Sequence, residues 1–134
     1  MTPGEPTLTP GLRGTAVLVV TDAHTAQAFG SGNVAVFSTP RLIALMEGAA
    51  VDAVREHLAP GDTSVGVRVD VTHLAATPVG AQVRAEAELV QVEGRRLRFV
   101  VAAWDQHQKI GEGTHDRAVV NYARFVEKVA ASPR

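Results

Sequence analysis

Apolar positions follow two rhythms along the chain, helical in the first half and strictly alternating in the second. From Pro40 to Leu58, Leu42, Ile43, Leu45, Met46, Ala49, Ala50, Ala53 and Val54 form one broad stripe at ~100° per residue, with Arg41, Asp52, Arg55 and Glu56 opposite. Thr39 as N-cap and Pro40 at the first helical position open this helix, and Pro60-Gly61 closes it. Beyond Gly61 the side chains of Val65, Val67, Val69, Val71 and His73 share one face, and Gly66, Arg68, Asp70 and Thr72 the other, which predicts a strand with one buried face. Ala81, Val83, Ala85, Ala87 and Leu89 repeat the pattern. So do Leu97, Phe99, Val101 and Ala103 after a turn at Glu93-Gly94, and Gln106 to Lys109 turns the chain into a last strand over Ile110 to Tyr122. The step from Leu89 to Val90 and Val92 breaks the alternation and predicts a bulge.

Thr15 to Thr21 reads as a leading strand, and Asp22 to Phe37, interrupted by Gly30-Ser31-Gly32, as a loop or fragmentary helix. Prolines and glycines in the first eleven residues predict a flexible arm over 1–13, followed by a single domain over 14–130. Short links make neighbouring strands antiparallel, so the expected class is α+β, a sheet wrapped around one long helix.

Composition narrows the function. A net charge of -1 gives no electrostatic reason to expect nucleic acid or an anionic membrane as partner, and the absence of cysteine removes disulfides, thiolate nucleophiles and Cys-ligated zinc. The N-terminus lacks the pattern of a signal peptide and no apolar run reaches ~18 residues, which makes a cytoplasmic protein the expectation. No metal or cofactor is expected, because no histidine pairs with another at ligand spacing.

Glu47 is the residue that asks for a chemical explanation. It stands at the edge of the apolar stripe, where desolvation raises a carboxylate's proton affinity unless a donor or cation compensates. Such a group is either a general base or nucleophile, or one half of a structural ion pair, for instance with Arg117. His73, at the end of the valine face, is placed to be a neighbour of Glu47 if the helix lies on that face.

Three segments taken together, FSTPRLIALMEGAA, VTHLAATPVG and VEGRRLRF followed by IGEGTHDRAVV, resemble the hot dog fold acyl-CoA thioesterases of the fluoroacetyl-CoA thioesterase type, over about Val17 to Lys128. The resemblance implies hydrolysis of an acyl-CoA in a homodimer, or a tetramer, whose sheets join. It implies a catalytic set of Thr39, Glu47 and His73, with Gly66, Arg117 and Phe37 as substrate-binding residues. It also implies an aromatic-rich lid before the helix, and here AQAFGSGNVAVF supplies only Phe29 and Phe37. The chemistry fits these residue types: thioester hydrolysis needs a nucleophile or activated water, a proton for the leaving thiolate, and donors for the oxyanion. A hydratase would carry a histidine beside the helix carboxylate, which this helix lacks, whereas a non-catalytic acyl-CoA binder would keep every feature named. Arg95, Arg96 and Arg98 are either contacts for coenzyme A phosphates or a solvated turn, and His24, His57, His107 and His115 carry no assigned role.

Overall fold

The computed structural model describes residues 7–133. Strand β1 (Arg13–Val19) leads through a 3-10 turn at Asp22–His24 and a short helix α1 (Ala26–Phe29) to the long helix α2 (Thr39–Val54). Four strands follow, β2 (Asp62–His73), β3 (Gln82–Glu93), β4 (Arg96–Trp104) and β5 (Lys109–Asn121), and then helix α3 (Tyr122–Ala131). The strands form one antiparallel sheet of five in the order β1-β3-β4-β5-β2. Among the described residues, no helix is long and apolar enough to cross a membrane.

The core is the inner face of this sheet closed over α2. Leu42, Met46, Ala49, Ala50 and Ala53 of the helix meet Val83, Ala85, Ala87, Leu89, Leu97, Phe99, Val101 and Ala103, all at most 4% exposed. Small residues let the backbones approach: a Cβ on Gly14 would lie 2.3 Å from both the Ala49 carbonyl oxygen and the Ala53 nitrogen. Asp52 also accepts the Thr15 N–H at 3.0 Å, so β1 is pinned to the helix. The expected bulge in β3 is present between Leu89 and Gln91.

Three sequence readings are corrected. The helix begins one residue earlier than expected: Ser38 is the N-cap, its hydroxyl accepting the Arg41 N–H at 3.2 Å, with Thr39 and Pro40 as the first two helical residues. Strand β2 lies at the sheet edge, and Val67 and Val69 are 43% and 39% exposed, so the valine face is not continuously buried. A bulge between Gly66 and Arg68 absorbs Val67 and reverses the alternation, so Val65 and Val69 lie on opposite sides of the strand. Third, the chain after Asn121 is helical; Asn121 caps α3 by accepting the Arg124 N–H at 3.0 Å. The first six residues of the expected arm lie outside the described residues; Thr7, Leu8 and Leu12 of the segment contact the body. Thr7 N–H donates to the His57 carbonyl at 2.9 Å, and Leu8 and Leu12 pack against the core.

Candidate active site

Moving the cap to Ser38 leaves the Thr39 hydroxyl available at the first helical turn. Its Oγ1 lies 2.7 Å from Nδ1 of His73, which the end of β2 delivers to the helix N-terminus. The other ring nitrogen, Nε2, is buried without a well-aligned partner. Burial lowers the pKa of His73 below its ordinary 6.5, a nearby backbone contact with Ala75 offsetting part of the effect. The ring is therefore neutral at pH 7, and the Thr39 hydroxyl can donate to Nδ1. Thr39 and His73 line an open cleft of about 410 Å³ whose other walls include Ala26, Val36, Phe37 and Leu74. Phe37 is 1% exposed, so it serves as floor of the cleft and as core. Phe29, the other aromatic of the segment, is 51% exposed.

The depressed pKa of His73 has a stability consequence. On acidification the unfolded chain takes up a proton near 6.5 while the folded ring still resists it, so stability falls from about pH 6.5 downward until the folded ring also protonates. Urea titrations between about pH 8 and about pH 5 should show a steeper loss for the parent than for His73→Gln. Equal slopes would contradict the assignment.

A second polar group sits two turns further along the helix, and its centre is Glu47. The carboxylate is 39% exposed, with Arg117 Nη1 at 3.6 Å and His115 Nε2 at 3.9 Å. Gly66 faces it from β2: a Cβ there would be 2.8 Å from Glu47 Oε2, so a larger residue would make the carboxylate shift from its present place. The β2 bulge produces this arrangement, because it puts Gly66 and His73 on the same side of a strand whose alternation would otherwise separate them. Arg117 is 6% exposed and anchored by Ser64, donating from Nε to the hydroxyl at 2.8 Å and from Nη2 to the carbonyl at 3.0 Å. Burial lowers its pKa below the arginine norm while Glu47 opposes the shift; a guanidinium remains charged under such conditions. Glu47 thus has a cation beside it, Arg117, the partner that its position at the stripe edge allowed.

The expected meeting of Glu47 with His73 does not occur within one chain. Thr39 and Glu47 are eight residues apart on one helix, which is about 12 Å along its axis. Glu47 faces Gly66, seven residues before His73 on β2. Ser64 and His115 are the site members that sequence reasoning missed. The signal for His115 was its place two residues before Arg117 on an alternating strand, which puts both on one face. Of the three arginines near the β3–β4 turn, Arg98 is held by Asp116 at 2.9 and 3.1 Å, and Arg95 lies 3.5 Å from Asp62. Arg98 also holds the Asp116 carboxyl below the usual range. Arg96 has no comparable pairing among the described residues.

Comparison with known proteins gives a consistent result. The family model described as fluoroacetyl-CoA-specific thioesterase, FlK, matches residues 20–123. A fluoroacetyl-CoA thioesterase of Streptantibioticus cattleyicolor is 49% identical over 94 residues, 70% of this chain and 68% of that protein. A solved structure of a threonine-to-serine variant of FlK in complex with acetyl-CoA superposes with a TM-score of 0.85 at 40% identity, covering 92% of this chain and 97% of the other. A hot-dog-like protein from Thermanaerovibrio acidaminovorans gives 0.84 at 27% identity, covering 95% and 96%. The curled antiparallel sheet around a central helix is therefore a hot dog fold, and the class is that of thioester hydrolases. Within it, the chain belongs to the family of fluoroacetyl-CoA-specific thioesterases.

Proposed function

We propose that this protein hydrolyses an acyl-CoA thioester to a free acid and coenzyme A, with Glu47, Thr39 and His73 as the catalytic set. The observation that carries the reading is the Thr39–His73 contact of 2.7 Å in a cleft with an apolar floor, at the positive end of α2. In the reaction the acyl C–S bond breaks, an oxygen from water ends on the acyl carbon, and the thiolate leaves as the protonated thiol. Glu47 supplies the carboxylate that acts on the carbonyl carbon, directly or through a water it deprotonates. The neutral His73 relays a proton, and the Thr39 hydroxyl orients the thioester beside the helix N-terminus. Gly66 and Arg117 shape the space around the carboxylate, and Phe37 contacts the acyl group. A binder of the same fold would hold acyl-CoA without producing equal amounts of acid and free coenzyme A, so mass spectrometry of the products separates the two readings. Fluoroacetyl-CoA against acetyl-CoA is the first pair to compare, because the cleft has Phe37 in its floor and an exposed Phe29 rather than an aromatic lid.

The reading includes a homodimer. Its support is the about 12 Å that separates Glu47 from Thr39 along the helix, together with the open edge of β2, a twelve-residue strand with exposed Val67 and Val69. Antiparallel pairing of β2 with a second copy would run the His73 end of one strand along the first half of the other, where Gly66 and Glu47 sit. Each site then takes Glu47 from one chain and the Thr39–His73 pair from its neighbour. Mixing equal amounts of inactive Glu47→Gln and Thr39→Val proteins under subunit exchange should restore about a quarter of parental turnover, as half of the dimers are hybrids and each hybrid holds one intact site of two. A mixture with no recovery, despite exchange, contradicts the composite site.

A further inference from the structure

His115 is a buried ionisable group with both ring nitrogens partnered, and the proposed chemistry does not use it. It is 2% exposed, on β5 between Val69 of β2 and Phe99 of β4, and its ring stacks on Phe99 with centroids 6.2 Å apart. Its two nitrogens face partners of opposite kind. Nδ1 is 2.8 Å from the carbonyl oxygen of Arg68, at the bulge of β2, and a carbonyl can only accept. Nε2 is 3.1 Å from Nη1 of Arg117, and a guanidinium can only donate. Hydrogen bonding therefore fixes one tautomer: the proton is on Nδ1, and Nε2 presents its lone pair to the arginine. The ring is neutral, so the 3.9 Å approach of Nε2 to Glu47 is not an ion pair.

We propose that His115 is a positioning residue for the hydrolysis, acting through Arg117 on Glu47. Ser64 holds Nε and Nη2 of the guanidinium, which leaves Nη1 as the only nitrogen directed toward the carboxylate. Nη1 has two hydrogens. By accepting one, His115 sets the rotation of the group and aims the other at Glu47 Oε2, 3.6 Å away. The bulge of β2 thus serves the site twice: it turns Gly66 toward the carboxylate and its Arg68 carbonyl locks the histidine tautomer that orients the cation. This inference rests on Glu47 being the reacting carboxylate.

Two substitutions divide the two hydrogen bonds of the ring. His115→Gln places an acceptor oxygen near the position of Nε2 and gives up the donor to Arg68; His115→Asn keeps a donor near Nδ1 and cannot reach Arg117. Each loses one buried hydrogen bond, so thermal melts of the two should shift alike. The expected result is kcat within about threefold of the parent for His115→Gln and a loss on the order of tenfold to a hundredfold for His115→Asn, with KM changed far less. Equal kcat for the two variants, whether retained or lost, would overturn the proposal, since a merely structural histidine predicts that equality. A third protein, Glu47→Gln, keeps the two questions apart. If it retains parental turnover, the assignment of Glu47 fails. If it is inactive while His115→Asn turns over like the parent, only the role of His115 fails.

Discussion

Glu47→Gln should abolish turnover while leaving the fold intact. Glutamine keeps the shape of the side chain and can still lie beside Arg117 Nη1, 3.6 Å away, but it neither attacks a thioester nor takes a proton from water. A loss on the order of a thousandfold in kcat follows from removing a general base or nucleophile. Stability should change little, because the carboxylate is 39% exposed and solvent screens its pairing with the arginine. Circular dichroism and a thermal melt matching the parent, beside absent turnover, are the expected pair of results. Activity within tenfold of the parent would place the chemistry elsewhere.

The second large effect concerns the fold. Gly14→Ala should destabilise the protein by about 3 kcal/mol or more, since the added methyl would lie 2.3 Å from the Ala49 carbonyl oxygen and the Ala53 nitrogen, both main-chain atoms of α2. Neither atom can rotate away. The helix must lift from β1, which loosens the packing of Ala49 and Ala53 and strains the Thr15 to Asp52 hydrogen bond. A drop of roughly 10 °C in Tm is the expected scale. Gly48→Ala is the control within the same contact region: its Cβ would sit 3.7 Å from the Ala16 methyl, an ordinary distance. At a helix interior position that change should stabilise by up to ~1 kcal/mol. If both substitutions proved neutral, α2 would not rest on β1 as described.

Much of this architecture is legible in the sequence, and the misses have physical causes. The stripe from Leu42 to Val54 and the alternation through β3 and β4 are long, so their periods identify them without ambiguity. The bulge after Leu89 shows because it interrupts an alternation of unlike residues. The bulge at Val67 stays hidden because valines continue at every second position straight through it, so the pattern remains regular while the strand itself shifts register. That one residue decides whether Gly66 or a valine faces Glu47. The helix cap illustrates a similar limit: Ser38 and Thr39 are both good caps, and only the contact between Thr39 and His73 shows why the serine takes the role. Helix α3 follows β5 without an intervening turn, so its helical spacing of Tyr122, Phe125, Val126 and Val129 is masked by the preceding strand pattern.

The site divides in the same way. Glu47 stands out by its place at the edge of the apolar stripe, resemblance to a family adds the roles of Thr39, His73, Gly66 and Arg117, and the fold gives each a concrete neighbour. No sequence pattern could report that Thr39–His73 and Glu47–Arg117 form two separate groups. Their separation depends on helix rise and strand register together.

The most direct test of the account is continuous detection of free thiol from a panel of esters, acetyl-, fluoroacetyl-, short branched and phenylacetyl-CoA, by the parent beside Thr39→Val and His73→Ala. The account predicts thiol release by the parent from at least one ester, reduced at least about a hundredfold in both variants. Folded parent that releases no thiol from any ester, or variants that release it at the parental rate, would contradict it.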